Sequence, residues 1–341
     1  MQATQLSRVF DSQQVGELVG DQVGAGGEGT VYRLARRADI LVKCYHPEKL
    51  AKGSKALQSK VAAMIGMKSQ MTAAANDQSV CWPLVSVFDD RQQWIGYAMR
   101  SAEGMPMSSL AHPMLHRKKF PGLDRVGLVS YLIRYLDAVQ ALHDVNVMVG
   151  DFNLNNVMCK PGTDQVTLID CDSYQAVLQG KLFSCPVGSA DMTPPEHHGV
   201  DFSKVRRTLQ SEYFSLAIVL FRCLMLGRHP YDIVGGSDPV QNLRSGQFAY
   251  GIGNKGVPNG PWYNIWSHMP YQLKNLFIGA FTEGSTRPDK RPGLQVWREA
   301  LVLYRREMAK GWHETMFVPN APKTAKHNGV SGTSLHEVSV H

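Results

Sequence analysis

The chain has no two cysteines at C-x-x-C spacing among its six (Cys44, Cys81, Cys159, Cys171, Cys185, Cys223), and no H-E-x-x-H pair among its twelve histidines. The first absence excludes a zinc knuckle or thioredoxin-type site and the second a zincin-type centre, leaving buried free thiols as the reading for the cysteines. No apolar run reaches the ~20 residues of a membrane span. The longest, 214–227, is interrupted by Arg222. Residues 1–15 carry no apolar stretch of signal-peptide type, so a cytoplasmic location is expected. Charge is sparse too: 19 % of residues, against ~25 % in an average soluble domain. Lys and Arg (36) exceed Asp and Glu (29), for a net +7. Basic clusters at 116–119 and 204–207 are ordinary solvated surface, and no aromatic-interleaved basic stretch points to nucleic acid.

What is present is ample core material. At 43 % hydrophobic the chain is not disordered, and 341 residues suggest about two domains or lobes. Residues 13–46 read as strands around a glycine-rich turn, with Lys43 inside the apolar run 40–45. Residues 48–75, rich in Ala, Lys, Met and Gln, favour helix. Two further runs, 80–88 and 94–99, read as strands, and Pro106, Pro113 and Pro121 make 101–122 linker-like. Val126, Val129, Leu132, Ile133, Leu136, Val139 and Leu142 then recur mostly at three and four residues, which predicts an amphipathic helix capped by Asp124. Helices are expected over 212–226, 270–281 and 294–308, a long Gly- and Asn-rich loop over 232–263, and a polar disordered tail over 318–341. A cleft between a small strand-rich lobe and a larger helical lobe is a natural small-ligand site.

Six constellations carry chemistry. Gly24, Gly26 and Gly29 with Val31 spell G-x-G-x-x-G-x-V, whose glycines let backbone N–H groups approach phosphate. The β-like residues after the turn suit a strand–turn–strand flap better than a dinucleotide fold. Lys43 in a buried strand needs an anion, and nucleotide phosphate is one. Asp151 and Asn156 form D-x-x-x-x-N, a carboxylate able to accept a hydroxyl proton and an amide able to hold a hard cation. The apolar run 168–169 ends in Asp170, with Asp172 two residues on. Pro194, Pro195 and Glu196 follow, and last a distant Arg291. Each alone has an ordinary loop or turn reading; their order carries the argument.

In this order the motifs resemble the eukaryotic-like protein kinase superfamily over about residues 13–310. They look like a divergent bacterial Ser/Thr kinase branch with G-D-x-N-x-x-N and I-D-x-D-S in place of H-R-D and D-F-G. The resemblance implies an α+β, bilobal fold: an N-terminal extension (1–12), a small antiparallel-β lobe (13–100), a hinge and mainly helical lobe (101–317), then the tail. It implies ATP with Mg²⁺ or Mn²⁺ and a protein substrate. Gly24, Gly26, Gly29 and Val31 would cover the nucleotide, and Lys43 would pair with its α/β-phosphates. Met99 would be the gatekeeper, with Arg100 and Ser101 opening an adenine-facing hinge that runs to Glu103. Asp151 would be the catalytic base, Asn156 and Asp170 would hold the metal, and Glu196 would brace Arg291. Relatives of this branch sit beside a von Willebrand-type protein and a metal-dependent phosphatase in stress or tellurite-resistance gene clusters, which makes both candidate partners.

The chain departs from that pattern. No helix glutamate stands ready for Lys43: Glu48 is too near and Asp77 too far along, while Gln58 lies at about the right helical distance and would offer only a neutral amide. Val149 and Gly150 replace His-Arg, so activity without phosphorylation of 184, 189 or 193 is expected. Asn153 replaces a lysine that would stabilise the transferring phosphoryl. Asp172 replaces a glycine and adds a second carboxylate; spacing does not separate the two, and Asp170 is favoured as the metal ligand because it directly follows the apolar run 168–169. Glu212 stands for a helix-start aspartate. The alternatives are a nucleotide-binding pseudokinase scaffold and a small-molecule kinase.

Overall fold

The computed structural model describes residues 6–75, 78–178, 180–251 and 256–323. Six strands form a closed antiparallel barrel in the order β1-β2-β3-β4-β6-β5: β1 (Arg8–Phe10), β2 (Gly16–Ala25), β3 (Gly29–Leu34), β4 (Arg37–Tyr45), β5 (Val85–Phe88) and β6 (Trp94–Arg100). The period-2 alternation of β4 explains its two faces. Ile40, Val42 and Cys44 fill the barrel interior with Val9, Leu34, Val87 and Ala98. Leu41 and Tyr45, on the other face with Lys43, join a second cluster around Val61, Tyr97 and Met99.

Strand β1 lies within the stretch assigned above to an N-terminal extension; it pairs with both β2 and β5 and so closes the barrel. The run 80–88 is a strand only from Val85. Before it, Val80 makes a single parallel bridge to Leu168, because the chain there crosses towards the helical part.

Between β4 and β5 come α1 (Pro47–Gly66) and α2 (Lys68–Ala74). Met64, Met67 and Met71 pack into the helical core, and the Trp82 indole donates to the Met64 carbonyl at 2.7 Å. The linker-like stretch carries structure: β7 (Met105–Pro106), α3 (Met107–Leu110) and α4 (Leu115–Lys119). The central helix α5 (Arg125–Asp144) starts where expected, with Asp124 accepting from the Gly127 N–H at 2.9 Å. Short strands β8 (Val147–Met148), β9 (Val157–Cys159), β10 (Val166–Leu168), β11 (Gln175–Leu178) and β12 (Lys181–Phe183) form two three-stranded sheets with β7.

Helix α6 (Leu209–Leu224) is buried almost all round and begins in a capping box of Thr208 and Ser211. The remaining helices are α7 (Pro239–Arg244), α8 (Trp262–His268), α9 (Tyr271–Phe281), α10 (Glu283–Thr286) and α11 (Leu294–Ala309). Helix α7 falls inside the expected long loop. Asp238 caps it and proline opens it, a start signal that was present in the sequence. The first residues of the expected tail are tied down. Asn264 and His268 of α8 bond the Pro319 and Ala321 carbonyls, and Lys323 N–H donates to Ser267. The rest of that segment, 324–341, lies outside the described residues. All six cysteines are buried and free. No helix among the described residues is long and apolar enough to cross a membrane.

Gly96 in β6 is dictated by packing. A Cβ there would lie 1.9 Å from the Lys43 carbonyl oxygen. Gly96→Ala should therefore push β4 and β6 apart and cost about 3 kcal/mol, read as a lowered midpoint in urea denaturation.

Candidate active site

Strands β4 and β6 set the centre. Lys43 pairs in register with Tyr97, and Tyr45 stands two residues further along β4, so all three side chains leave the same face. Against that face the chain leaves β10 through Asp170, which is left-handed at φ 61°, and turns at once into the short 3₁₀ helix Cys171–Ser173. The turn brings two carboxylates to one ammonium. Lys43 Nζ lies 2.5 Å from Asp170 Oδ1 and 2.8 Å from both oxygens of Asp172. The Tyr45 and Tyr97 hydroxyls also donate to Asp172, at 2.5 and 2.7 Å.

Burial works against the charge on Lys43, but Asp172 and then Asp170 outweigh it and raise its pKa above the ordinary lysine value. Burial also disfavours an ionised Asp172. Lys43 and the two phenols outweigh it and hold that carboxyl below the usual carboxylate range. For Asp170 burial wins over Lys43, and its pKa is raised. The side chain of Asp170 is 41 % exposed and that of Asp172 2 %, so only the former can reach a soluble ligand. Gln58 lines a surface groove with Leu50, Ser54 and Trp94. It makes no bond to Lys43 among the described residues: the lysine's anions come from the 170–172 turn, not from helix α1. Asp77 lies outside the described residues.

Asp151 follows α5 on a loop fixed by one buried acid. Glu212 of α6 accepts from the Val149 and Gly150 N–H groups at 2.7 and 2.9 Å, with His143 at 3.3 Å. Gly150 has φ +71°, and a Cβ there would lie 2.7 Å from the Cys185 side chain, so no arginine fits at this position. Arg207 packs alongside instead. It donates to the Val187 carbonyl at 3.0 Å and stacks on Phe202. Burial, then the like charge of Asp170, raises the Asp151 pKa, with Arg207 opposing. Asp151 Oδ1 is buried without a partner among the described residues.

Asn156 joins the site through its backbone, its carbonyl accepting from the Ile169 N–H at 2.9 Å beside Asp170. Asn153 caps the intervening turn by accepting from Asn155 N–H. An amide oxygen and a carboxylate make an all-oxygen donor pair suited to a hard cation. No cluster of three or more His, Cys, Asp or Glu with metal-site geometry occurs among the described residues.

Above the lysine, the turn after β2 is closed by Gly26 N–H donating to the Gly29 carbonyl and braced by His46 and by the Lys49–Glu28 ion pair. A Cβ on Gly29 would lie 2.4 Å from the Cys44 carbonyl oxygen, whereas one on Gly24 or Gly26 would meet nothing within 4 Å. The last two glycines therefore leave open space beside the backbone. Val31, Leu41, Ala102 and Ile169 are half-buried and pack against the same cluster as Met99. Ser101 N–H is taken by the Asp39 carbonyl, and Arg100 sits exposed at the end of β6. Farther off, Arg291 and Glu196 form a two-pronged ion pair at 2.6 and 2.8 Å.

Sequence reasoning missed Tyr45, Tyr97, Leu41 and Ile169, although period-2 facing from Lys43 picks out Leu41 and Tyr45. It also missed Lys60 and Arg207. Lys60 of α1 is buried and donates to the Ser184 carbonyl at 3.1 Å. Burial lowers its pKa from 10.5 to about 8. Between those values the unfolded chain binds a proton that the folded chain does not, so this group makes stability rise with pH. Lys60→Met should flatten that rise, compared by urea unfolding at pH 7.5 and 9.5; an equal rise in both proteins would refute the assignment.

No family model matches the chain. A protein of Escherichia coli O157:H7 named protein kinase YegI is 31 % identical over 306 residues, which covers 85 % of this chain and 45 % of its own length. The protein of the same name from Escherichia coli strain K12 is 31 % identical over 320 residues, 89 % of this chain and 47 % of its own. The chain thus spans about half the length of the curated relatives it matches.

Proposed function

The chain belongs to the divergent bacterial protein-kinase-like family of these relatives, and on that premise we propose that it transfers the γ-phosphoryl group of ATP to a serine or threonine of a protein. The observation that carries the reading is the cluster of Lys43 with Asp170 and Asp172, with Asp151 close enough to be affected by the same charge.

In this reading residues 13–100 and 101–317 are the two lobes of a kinase fold, and the nucleotide lies between them. The adenine would lie against the apolar side chains of Val31, Leu41, Met99, Ala102 and Ile169, beside the hinge of Arg100 and Ser101. The phosphates run under the flap, where Gly24 and Gly26 leave room, towards Lys43. Asn156 and Asp170 would hold Mg²⁺ or Mn²⁺, which when bound neutralises charge on the triphosphate. Asp151 takes the proton from the acceptor hydroxyl at its unpartnered Oδ1. Its raised pKa suits a base that must be ionised and yet accept a proton. Glu212 and Glu196–Arg291 keep the loops around that oxygen in place.

The segment after β12 is already held by unmodified groups: Lys60 on the Ser184 carbonyl and Arg207 on the Val187 carbonyl. That supports activity without phosphorylation there.

The test is transfer of label from ATP with Mg²⁺ or Mn²⁺ to a generic protein acceptor, and to a von Willebrand-type protein as a first specific one. Asp151→Ala should reduce incorporation by about a hundredfold or more. Ser184→Ala and Ser189→Ala should leave the rate nearly unchanged. Thr193 is buried with its hydroxyl bonded to the Ser189 carbonyl, which leaves it unavailable for modification. ATP binding with no transfer to any acceptor would refute the enzyme and favour a nucleotide-binding scaffold.

A further inference from the structure

We infer that Asp172 is a positioning residue, the fixed countercharge that holds Lys43 towards the nucleotide in place of an acid on helix α1. The inference rests on the nucleotide reading above and adds a division of labour between two carboxylates that sequence spacing does not separate.

Three observations carry it. Asp172 is the more buried acid and meets the lysine with both oxygens, at 2.8 Å each. Each oxygen has a second donor: Tyr97 on Oδ1 and Tyr45 on Oδ2. One phenol comes from the lysine's own strand β4 and the other from the neighbouring β6, so the carboxylate is locked to the sheet itself. Helix α1, where an acid would otherwise be sought, sends a cation inward: the buried Lys60, bonded to the Ser184 carbonyl.

The consequence is mechanical. A countercharge borne on a separate helix positions the lysine only while that helix is docked. Here the lysine, its carboxylate and the two hydroxyls belong to β4, β6 and the turn after β10. A buried ion pair with all its hydrogen bonds made has one geometry, because breaking it leaves an uncompensated charge. Asp170 meets the lysine through Oδ1 alone, at 2.5 Å, and is partly exposed, so of the two acids it is the one placed to serve a cation as well. Asp172 touches neither nucleotide nor metal and acts only through Lys43.

Binding of ADP to the full chain, with and without Mg²⁺, separates the roles. Asp172→Asn should weaken metal-free binding about tenfold, the worth of a hydrogen-bonded charge. It should add no further loss in the Lys43→Met background. Asp170→Asn should remove the extra affinity that Mg²⁺ confers and cost metal-free binding less than Asp172→Asn does, since Asp170 meets the lysine with one oxygen rather than two. The inference is overturned if Asp172→Asn spares metal-free binding and removes the Mg²⁺ increment, or if its effect persists undiminished without Lys43. Tyr97→Phe is a milder variant should Asp172→Asn fail to fold. It should weaken metal-free binding about threefold, again only when Lys43 is present; unchanged affinity would count against the lock.

A second measurement needs no nucleotide. Lys43→Met and Asp172→Asn each strand a buried partner, so the double variant should unfold at a higher urea concentration than the sum of the single losses predicts. Additive losses would overturn the pairing. A wild-type chain that binds no ADP in either condition, yet shows coupled stability, would overturn the nucleotide reading alone.

Discussion

A lysine ammonium withdrawn from water must have a fixed negative partner, and this requirement organises the centre of the molecule. Lys43 is only 6 % exposed. Taking such a charge out of water costs several kcal/mol unless its hydrogen bonds are made. The chain meets that cost with two carboxylates on one tight turn and two phenols, one on the lysine's own strand and one on the neighbouring β6. Because the four groups come from β4, β6 and the turn after β10, the barrel and the loop that leaves β10 cannot shift independently. The glycine at position 96 belongs to the same constraint, since β6 must approach the Lys43 backbone closely enough to present Tyr97.

The same economy recurs away from the lysine. Charged residues are few, and the buried ones tie down loops. Glu212 satisfies two N–H groups of the loop that carries Asp151. Arg207 takes a carbonyl of the following segment and stacks on Phe202. Arg291 accepts Glu196 as its ion partner while donating to the Gly284 and Gln210 carbonyls. Glu212 and Arg207 serve backbone groups of irregular segments, and Arg291 ties two helix starts to Glu196, so single ions order the chain where no strand pairing does. The loop that carries Asp151 therefore has its geometry set by the packed helix α6.

Much of this was legible in the chain. The period of the apolar residues placed α5 and its Asp124 cap, and the glycine turn flanked by strands matches the flap between β2 and β3. Other elements were not. Residues 80–84 have strand-like composition but make only one bridge, because at that point the backbone is recruited by β10 rather than by the barrel. Short helices such as α3 and α4 hold too few residues for a period to emerge. The closing strand β1 is three residues long, and its pairing with β5 joins segments far apart in the chain.

Residue types, their order and their local periodicity were thus determined by the sequence alone: that a lysine would be buried in a strand, that acids would follow a later strand, that an amphipathic helix would precede Asp151. Which acid takes the lysine was decided only in three dimensions. Asp170 and Asp172 lie 127 and 129 positions from Lys43 along the chain, and Gln58 much nearer. Coulomb attraction and hydrogen bonding fall off with distance through space, not along the backbone. The left-handed turn at Asp170 aims the next acid, Asp172, at the face where Lys43, Tyr45 and Tyr97 already converge.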